Sequence, residues 1–351
     1  MSCTLDDFDY HLPPELIAQH PAPQRSGSRL MVVHRAAQSW QHHTFSELPD
    51  ILHPHDFLVL NDTRVFPARL HGRKASGGWV ELLLHHLPEP LAHGPSPTTA
   101  GARANYRGHR LKAGQVLHFD HGLEGEIRKI LGGGLAEVVF RSSQGNVVQA
   151  ILEQGEVPLP PYIRRPPEAT DQESYQTVYA AHPGAIAAPT AGLHFTWEIL
   201  DFLQNRGIET ATVTLHVGPG TFLPVRTPDY TWHQMHPEYI ILTATAAARL
   251  NRARAAGKHL TAVGTTSVRV LEHCAGPQGF TPQEGWCNLY IYPGYRFQAV
   301  DHLLTNFHLP RSTLLLLAAA FAGRDLLLAA YEDAVRQRYR FYSYGDCMLI
   351  V

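Results

Sequence analysis

The chain has 351 residues, of which 44% are hydrophobic and 17% charged, with a formal net charge of −2. That is enough apolar sequence for about two packed domains and excludes a disordered chain. A near-neutral total announces no nucleic-acid partner, yet it leaves room for a local basic face.

In chain order, Pro13 and Pro14 suit a helix start that Pro21 and Pro23 cut short, before a polar turn bearing Arg25, Ser26, Ser28 and Arg29. That turn reads equally as a phosphate contact or as solvated loop. Leu30 to His34 and Asp56 to Asn61 are expected strands. The second feeds Asn61, Asp62, Thr63 and Arg64, a denser polar cluster than a plain turn requires. From Leu70 to about Ala150, short alternating runs (Trp79 to His85, Gln115 to Phe119, Gly125 to Ile130, Leu135 to Phe140) predict a small antiparallel β module without a helix. Leu87 to Ala104, rich in Pro, Gly, Ala and Thr, is expected to be a flexible loop. Arg103, Arg107, Arg110 and Lys112, interleaved with Tyr106 and His109, and Arg69, Arg73 and Lys74 on the entry strand either track a phosphate backbone or are scattered solvated charge. The proline-rich connector Gly155 to Arg165 returns the chain to the larger domain, so the expected division is 1–68 with 152–351, and 69–151 inserted.

Ala185 to Arg226 is the centre of the pattern. Pro-Thr190-Ala-Gly192-Leu-His194 leads into a helix over Trp197 to Arg206, and a strand over Thr210 to Val217 delivers His216 to a loop with Gly218, Gly220 and Thr221. Each histidine taken alone is more simply a loop residue, but polar groups where strands give way to Gly/Pro turns are where α/β proteins hold ligands. A helix follows over Thr245 to Ala256, then a strand over Leu260 to Val263 that runs into Gly264-Thr265-Thr266-Ser267 at a helix start. Free amides and three hydroxyls there suit a carboxylate or phosphate, or else a plain N-cap. A strand over Trp286 to Tyr292 and two C-terminal helices complete an α/β alternation.

Cys3, Cys274, Cys287 and Cys347 form no Cys-x-x-Cys pair, so neither a disulfide scaffold nor a zinc ribbon is expected. Among 23 histidines, His233 and His236 have no cysteine companion, and no metal is expected. Thiols kept reduced in the cytoplasm are the simplest account of the cysteines, while the acidic start (Asp6, Asp7, Asp9) and the short apolar run Leu314 to Ala322 predict no signal peptide and no membrane segment.

Five stretches together resemble one family: Pro-Thr-Ala-Gly-Leu-His-Phe at 189–195, Thr-Leu-His-Val-Gly-x-Gly-Thr-Phe-x-Pro-Val-Arg at 214–226, Val-Gly-Thr-Thr-Ser-Val-Arg at 263–269, Thr-Asn-Phe-His-Leu-Pro at 305–310, and Tyr-Arg-Phe-x-Ser-Tyr-Gly-Asp at 339–346. With Asn-Asp-Thr-Arg at 61–64, they are similar to the S-adenosylmethionine:tRNA ribosyltransferase-isomerases of queuosine biosynthesis, over nearly the whole chain and in order. The match is weakest over Leu87 to Arg110. The resemblance implies a barrel-like α/β main domain with an inserted small antiparallel β-barrel, in a cytoplasmic protein; a monomer is expected, though nothing in the residues fixes the oligomeric state. It also implies S-adenosylmethionine as ribosyl donor without a metal, and tRNA carrying 7-aminomethyl-7-deazaguanine in its anticodon as acceptor. Epoxyqueuosine, adenine and methionine would be the products.

That chemistry needs a base to take a proton from the ribose carbon beside the sulfonium, and a proton or hydrogen bond for the departing adenine. His194 and His216 are the expected base or acid, oriented by Asp346 or Glu238. Thr190, Gly192, Gly218, Gly220, Thr221, Gly264, Thr265, Thr266 and Ser267 are the expected S-adenosylmethionine contacts. Asn61, Asp62, Arg64, Arg69, Lys74, Asn306, His308 and Arg340 are the expected contacts to tRNA or its target base. Two other classes fit part of the pattern. A tRNA methyltransferase would leave S-adenosylhomocysteine, but no Gly-x-Gly-x-x-Gly opens a helix. A non-catalytic RNA-binding protein would bind tRNA indifferently to S-adenosylmethionine.

Overall fold

The computed structural model describes residues 4–91, 98–222, 225–227 and 229–351, without the side chains of 221 and 222. Its larger unit is a nine-stranded mixed sheet. The strand order is Gln283–Cys287, Glu238–Leu242, Glu209–His216, Asp56–Asn61, His259–Val263, His302–Asn306, Cys347–Ile350, Arg29–His34, Ser39–Thr44. From Glu209–His216 to His302–Asn306 the strands run parallel. Asp56–Asn61 is buried at every position, so its run of Phe, Leu and Val is continuous rather than alternating, as a parallel strand covered on both faces requires. One face packs Val59, Val213 and Ala262 against Leu250, Leu271, Leu315 and Leu327 of four helices. The other packs Leu58, Leu60 and Val263 against Ile199 and Leu203 of the helix Trp197–Asn205. Among the described residues the sheet's two edge strands do not pair, so the larger unit is an open sheet and the closed barrel is the insert.

That insert is a second sheet in which Thr99–Arg107 and Leu135–Ser142 pair across, closing six antiparallel strands into a barrel. Leu70, Val80, Leu82, Leu117, Ile127, Val138 and Phe140 fill it. Val147 and Ile151 from the helix Val147–Gln154 join the same core. That helix departs from the expectation of a module without one; Asn146 caps it, accepting from Val148 N at 3.0 Å and Gln149 N at 3.2 Å. Thr99–Arg107 also departs from the expected loop over Leu87 to Ala104. Its inward residues are Ala100, Ala102 and Ala104, and an Ala/polar alternation carries almost no hydrophobic signal. Residues 92–97 of that stretch lie outside the described ones.

Three smaller differences have local causes. The helix expected after Pro13 is only the turn Pro14–Leu16, because the backbone beyond it pairs with Phe341 instead: Phe341 N donates to Leu16 O at 2.8 Å and Ala18 N to Phe341 O at 3.2 Å. The strand expected over Trp286 to Tyr292 is Gln283–Cys287; Tyr290 and Tyr292 instead pack against each other with ring centroids 4.9 Å apart. Strands His302–Asn306 and Cys347–Ile350 are too short to stand out from sequence. No single described helix is long and apolar enough to cross a membrane.

Candidate active site

Parallel strands bring their C-terminal ends to one edge of a sheet, and antiparallel neighbours bring their N-terminal ends there. Here that edge holds His216, Asn61 with Asp62, Gly264 and Asn306 from the parallel strands. Glu238 and Asp346 arrive from antiparallel neighbours, and Ser28 precedes the strand parallel to Cys347–Ile350. Open α/β sheets hold ligands outside such an edge. The loops bearing Gly192, Gly218, Gly264 and Gly345, far apart in sequence, all meet there.

One half of the edge is a packed polar cluster around His194, which is 4% exposed. Ser28 Oγ lies 2.7 Å from His194 Nδ1, and Asn306 Nδ2 donates to His194 Nε2 at 3.3 Å. Asn306 Nδ2 also donates to the carbonyls of Tyr342 at 3.1 Å and Asp346 at 3.4 Å. With acceptors on that side, its amide orientation is set and His194 must carry its proton on Nδ1. Asn306 Oδ1 then points into the interior with no partner. Tyr342 sits at φ 73°, a conformation that costs a bulky residue about 1–3 kcal/mol and often marks a functional site. Burial, with the charges of Arg25 and Arg340, pushes the His194 pKa down to about 3. Asp346 accepts from Arg29 N at 2.9 Å and Arg340 N at 2.8 Å, and its carboxylate pairs with Arg29 Nε at 3.4 Å.

The other half is more open. His216 Nδ1 lies 2.8 Å from Thr63 Oγ1, and the ring is backed by Gly184, where a Cβ would fall 2.7 Å from the imidazole. Burial first, and then the neighbouring His182, lower the pKa of His216, with Asp62 acting in the opposite sense. Asp62 Oδ1 accepts from Thr214 Oγ1 at 2.6 Å, and its Oδ2 lies 3.9 Å from His182 Nε2 on the solvent side. Arg64 is exposed beside it.

Between the halves the helix Thr265–Cys274 begins at Gly264, whose φ of 88° carries the chain from strand to helix in a turn that a side chain would strain. No side chain caps this helix, and the Thr266 hydroxyl is buried without a partner. Free amides beside an orphaned hydroxyl suit a carboxylate. From the same helix Arg269 forms a buried ion pair with Glu238, whose other oxygen accepts from Gly218 N at 2.9 Å. That pair ties the His216 loop to the Gly264 loop.

A family profile described as "Queuosine biosynthesis protein" matches residues 5–350. The chain belongs to that family. A full-length relative is the S-adenosylmethionine:tRNA ribosyltransferase-isomerase of Syntrophotalea carbinolica, 49% identical over 352 residues and covering 99% of both chains. A protein of the same name from an Anaeromyxobacter species is 50% identical over 350 residues, 99% of this chain and 98% of the relative. Among solved structures, S-adenosylmethionine tRNA ribosyltransferase from Thermotoga maritima is similar over 98% of this chain and 100% of its own, at 36% identity and a TM-score of 0.55. As a member of the queuosine biosynthesis family, the chain is a transferase.

Several residues expected at the site of this queuosine biosynthesis enzyme have other work. Ser267 Oγ donates back to Val263 O at 2.8 Å and is fully buried, so it does not face a ligand. Asn61 pins the strand ends, donating to Leu215 O at 3.1 Å and accepting from Thr63 N and Leu215 N. His308 is buried against Thr305 at 2.8 Å, and burial takes its pKa to about 3. Arg69 spans Glu81 and the Leu159 carbonyl, fastening barrel to connector. Arg340 donates to the His20 carbonyl, and Lys74 to that of His109. Thr190 and Gly220 are half-buried at the edge, and the side chain of Thr221 lies outside the described residues. Arg25, a phosphate contact or solvated residue by sequence, instead clamps the carbonyls of Gln176 and Leu193 at 2.7 and 3.2 Å.

Sequence reading missed His182, Gly184 and Arg269, because each acts through a neighbour remote in sequence. Among the described residues, the donor atoms of Asp56, His259 and His302 lie within 4.8 Å of one another. They stand at the N-terminal ends of their strands, the edge opposite the site. His302 Nδ1 hydrogen-bonds Asp56 Oδ1 at 3.0 Å, and this group takes no part in the site.

Proposed function

We propose that the enzyme transfers and isomerises the ribosyl group of S-adenosylmethionine onto the aminomethyl group of 7-aminomethyl-7-deazaguanine in a tRNA anticodon, giving epoxyqueuosine, adenine and methionine. The observation that carries this reading is the gathering of five family motifs, remote in sequence, at one sheet edge in a chain whose relatives bear that name along their full length. Two orphaned polar atoms support the fit of the donor: Thr266 Oγ1 beside the uncapped helix start for the methionine carboxylate, and Asn306 Oδ1 for the adenine amino group.

In this account His216 is the base. Its lowered pKa keeps it neutral at physiological pH, and with Nδ1–H donating to Thr63 Oγ1 its Nε2 lone pair is free to remove a proton from the carbon next to the sulfonium. His194 is a positioning residue, since both ring nitrogens are engaged and its proton affinity is too low for a base. Asp346 and Glu238 already accept from backbone amides and arginines, so they hold loops rather than donate protons. Asp62, buried with its Oδ2 turned toward His182, faces the amine of the target base, and Arg64 the nucleotide phosphate. On the barrel, a groove of about 560 Å³ lined by Lys74, His109, Arg110 and Lys112 offers a path for the tRNA backbone.

Incubation with S-adenosylmethionine and precursor tRNA tests this directly. Adenine and methionine released in step with the mass gain of the tRNA are expected, and His216→Ala should abolish adenine release while S-adenosylmethionine still binds. S-adenosylhomocysteine with a methylated tRNA would overturn the reaction; wild-type turnover by His216→Ala would overturn the role of the base.

A further inference from the structure

The flap beside His216 has an outer face whose composition its fold does not require. Glu209–His216, Glu238–Leu242 and Gln283–Cys287 pair antiparallel, with His216 opposite Tyr239 and Tyr239 opposite Trp286. Residues directly opposite share a face of the sheet, so the rings stand in a row. His216 and Tyr239 lie 7° from parallel with centroids 6.5 Å apart, and Tyr239 meets Trp286 edge to face at 5.3 Å. The inner face, with Leu215, Ile240 and Cys287, is already buried in the main core. An antiparallel flap buried on one side ordinarily shows polar residues on the other. Instead Trp286, at the outer end of the row, leaves 65% of its surface to solvent. The Tyr239 hydroxyl donates to Glu284 Oε1 at 2.7 Å, which fixes the middle ring and occupies the nearest acidic group.

We infer that this row is a stacking platform on which Trp286 holds an unpaired nucleotide next to the base being modified. The inference deepens the proposed function and rests on it. Proteins that act on single-stranded RNA splay bases out and stack them on aromatic side chains, because every base offers a π face. Geometry matches that use. Trp286 is two strand spacings, about 10 Å, from His216 at the reacting edge, within reach of a nucleotide adjoining the target. A large flat ring on a paired strand is also pre-organised, so little side-chain freedom is lost on binding. A ring placed only to stabilise the flap would be covered by other side chains, and this one is not.

The test uses the full chain with Trp286→Ala and Trp286→Phe, following adenine release at varied tRNA and varied S-adenosylmethionine. Trp286→Ala should raise the KM for tRNA about 10-fold, the effect of losing one base stack, with kcat and the KM for S-adenosylmethionine unchanged. Trp286→Phe should recover most of the loss. An anticodon stem-loop made abasic at each unpaired position in turn should lose affinity at one position beside the target, and there Trp286→Ala should add less than about 2-fold, since the two changes remove one contact. An unchanged KM for tRNA in Trp286→Ala overturns the platform and leaves the transferase reading standing. So does an equal loss for both substrates, which would mark a structural role. A wild-type enzyme that releases no adenine with any tRNA overturns the reaction, and the platform falls with it.

Discussion

Adding one methyl group at Gly184 tests the placement of His216 without replacing either histidine. Gly184 lies in the strand His182–Ala185, and a Cβ built there falls 2.7 Å from His216 Cε1 and Nδ1. Carbon atoms pack best at about 3.5–4.0 Å, so the ring must retreat by roughly 1 Å. It has no slack to do so, because Nδ1 is held 2.8 Å from Thr63 Oγ1. Overpacking of this kind costs about 1–3 kcal/mol of stability, and a misplacement of about 1 Å at a reacting group costs on the order of 100-fold in rate. Gly184→Ala should therefore lower kcat for adenine release by roughly 100-fold, with S-adenosylmethionine binding intact. In a His216→Ala background the clash disappears, and the stability cost of the same change should fall to less than about 0.5 kcal/mol. Wild-type kcat in Gly184→Ala, or an undiminished stability cost in the His216→Ala background, would refute the reasoning.

Other consequences follow from the same contacts. Because the pKa of His216 is lowered, kcat should stay level through neutral pH and fall with single-proton slope only below the ordinary histidine value of about 6.5; a limb centred above pH 7 would contradict it. His194 and His308 bind their protons far more weakly folded than unfolded, so their contribution to stability is complete above about pH 6.5 and is lost as pH falls toward 3. At pH 5 the loss is about 2 kcal/mol for each, and thermal unfolding at pH 7 and 5 should show a gap that His308→Gln cuts by about half. Glu238→Ala leaves the Arg269 guanidinium buried and unpaired and should cost about 3–5 kcal/mol in denaturant titration, most of it recovered by adding Arg269→Met. Arg110→Ala with Lys112→Ala should weaken tRNA binding and make its salt dependence shallower by about one to two units of the log–log slope; an unchanged slope would remove the barrel groove from the tRNA path.

Long or strongly patterned elements were legible in the sequence, and elements defined by distant partners were not. Asp56–Asn61 and Trp197–Asn205 declare themselves, one by an unbroken apolar run between polar turns, the other by the spacing of Trp197, Leu200 and Leu203 before Gly207. Thr99–Arg107 hides because alanines line the barrel where Phe140 and Leu82 supply the bulk. Cys347–Ile350 is a strand only because Arg29–His34 and His302–Asn306 flank it. At the site, sequence singled out His194 and His216 alike, since each lies within two residues of a glycine at the end of an element. Their difference lies in their neighbours, Ser28 and Asn306 closing around one ring and Thr63 and Gly184 leaving the other half open. Such pairings across 166 or 153 residues are set by sheet order, which no local pattern encodes. The three hydroxyls at 265–267 divide for a helical reason: Ser267 sits where its hydroxyl reaches the carbonyl four residues back, whereas the Thr266 hydroxyl is buried without a partner.

The account depends on one sheet edge being a single S-adenosylmethionine site. A structure of the enzyme with S-adenosylmethionine bound measures that most directly. The carboxylate should lie at the amides of the helix start beside Thr266, the adenine amino group within hydrogen-bond distance of Asn306 Oδ1, and the carbon next to the sulfonium near His216 Nε2. Ligand density in the barrel groove, or at the outer edge with His216 and Asn306 both untouched, would contradict it.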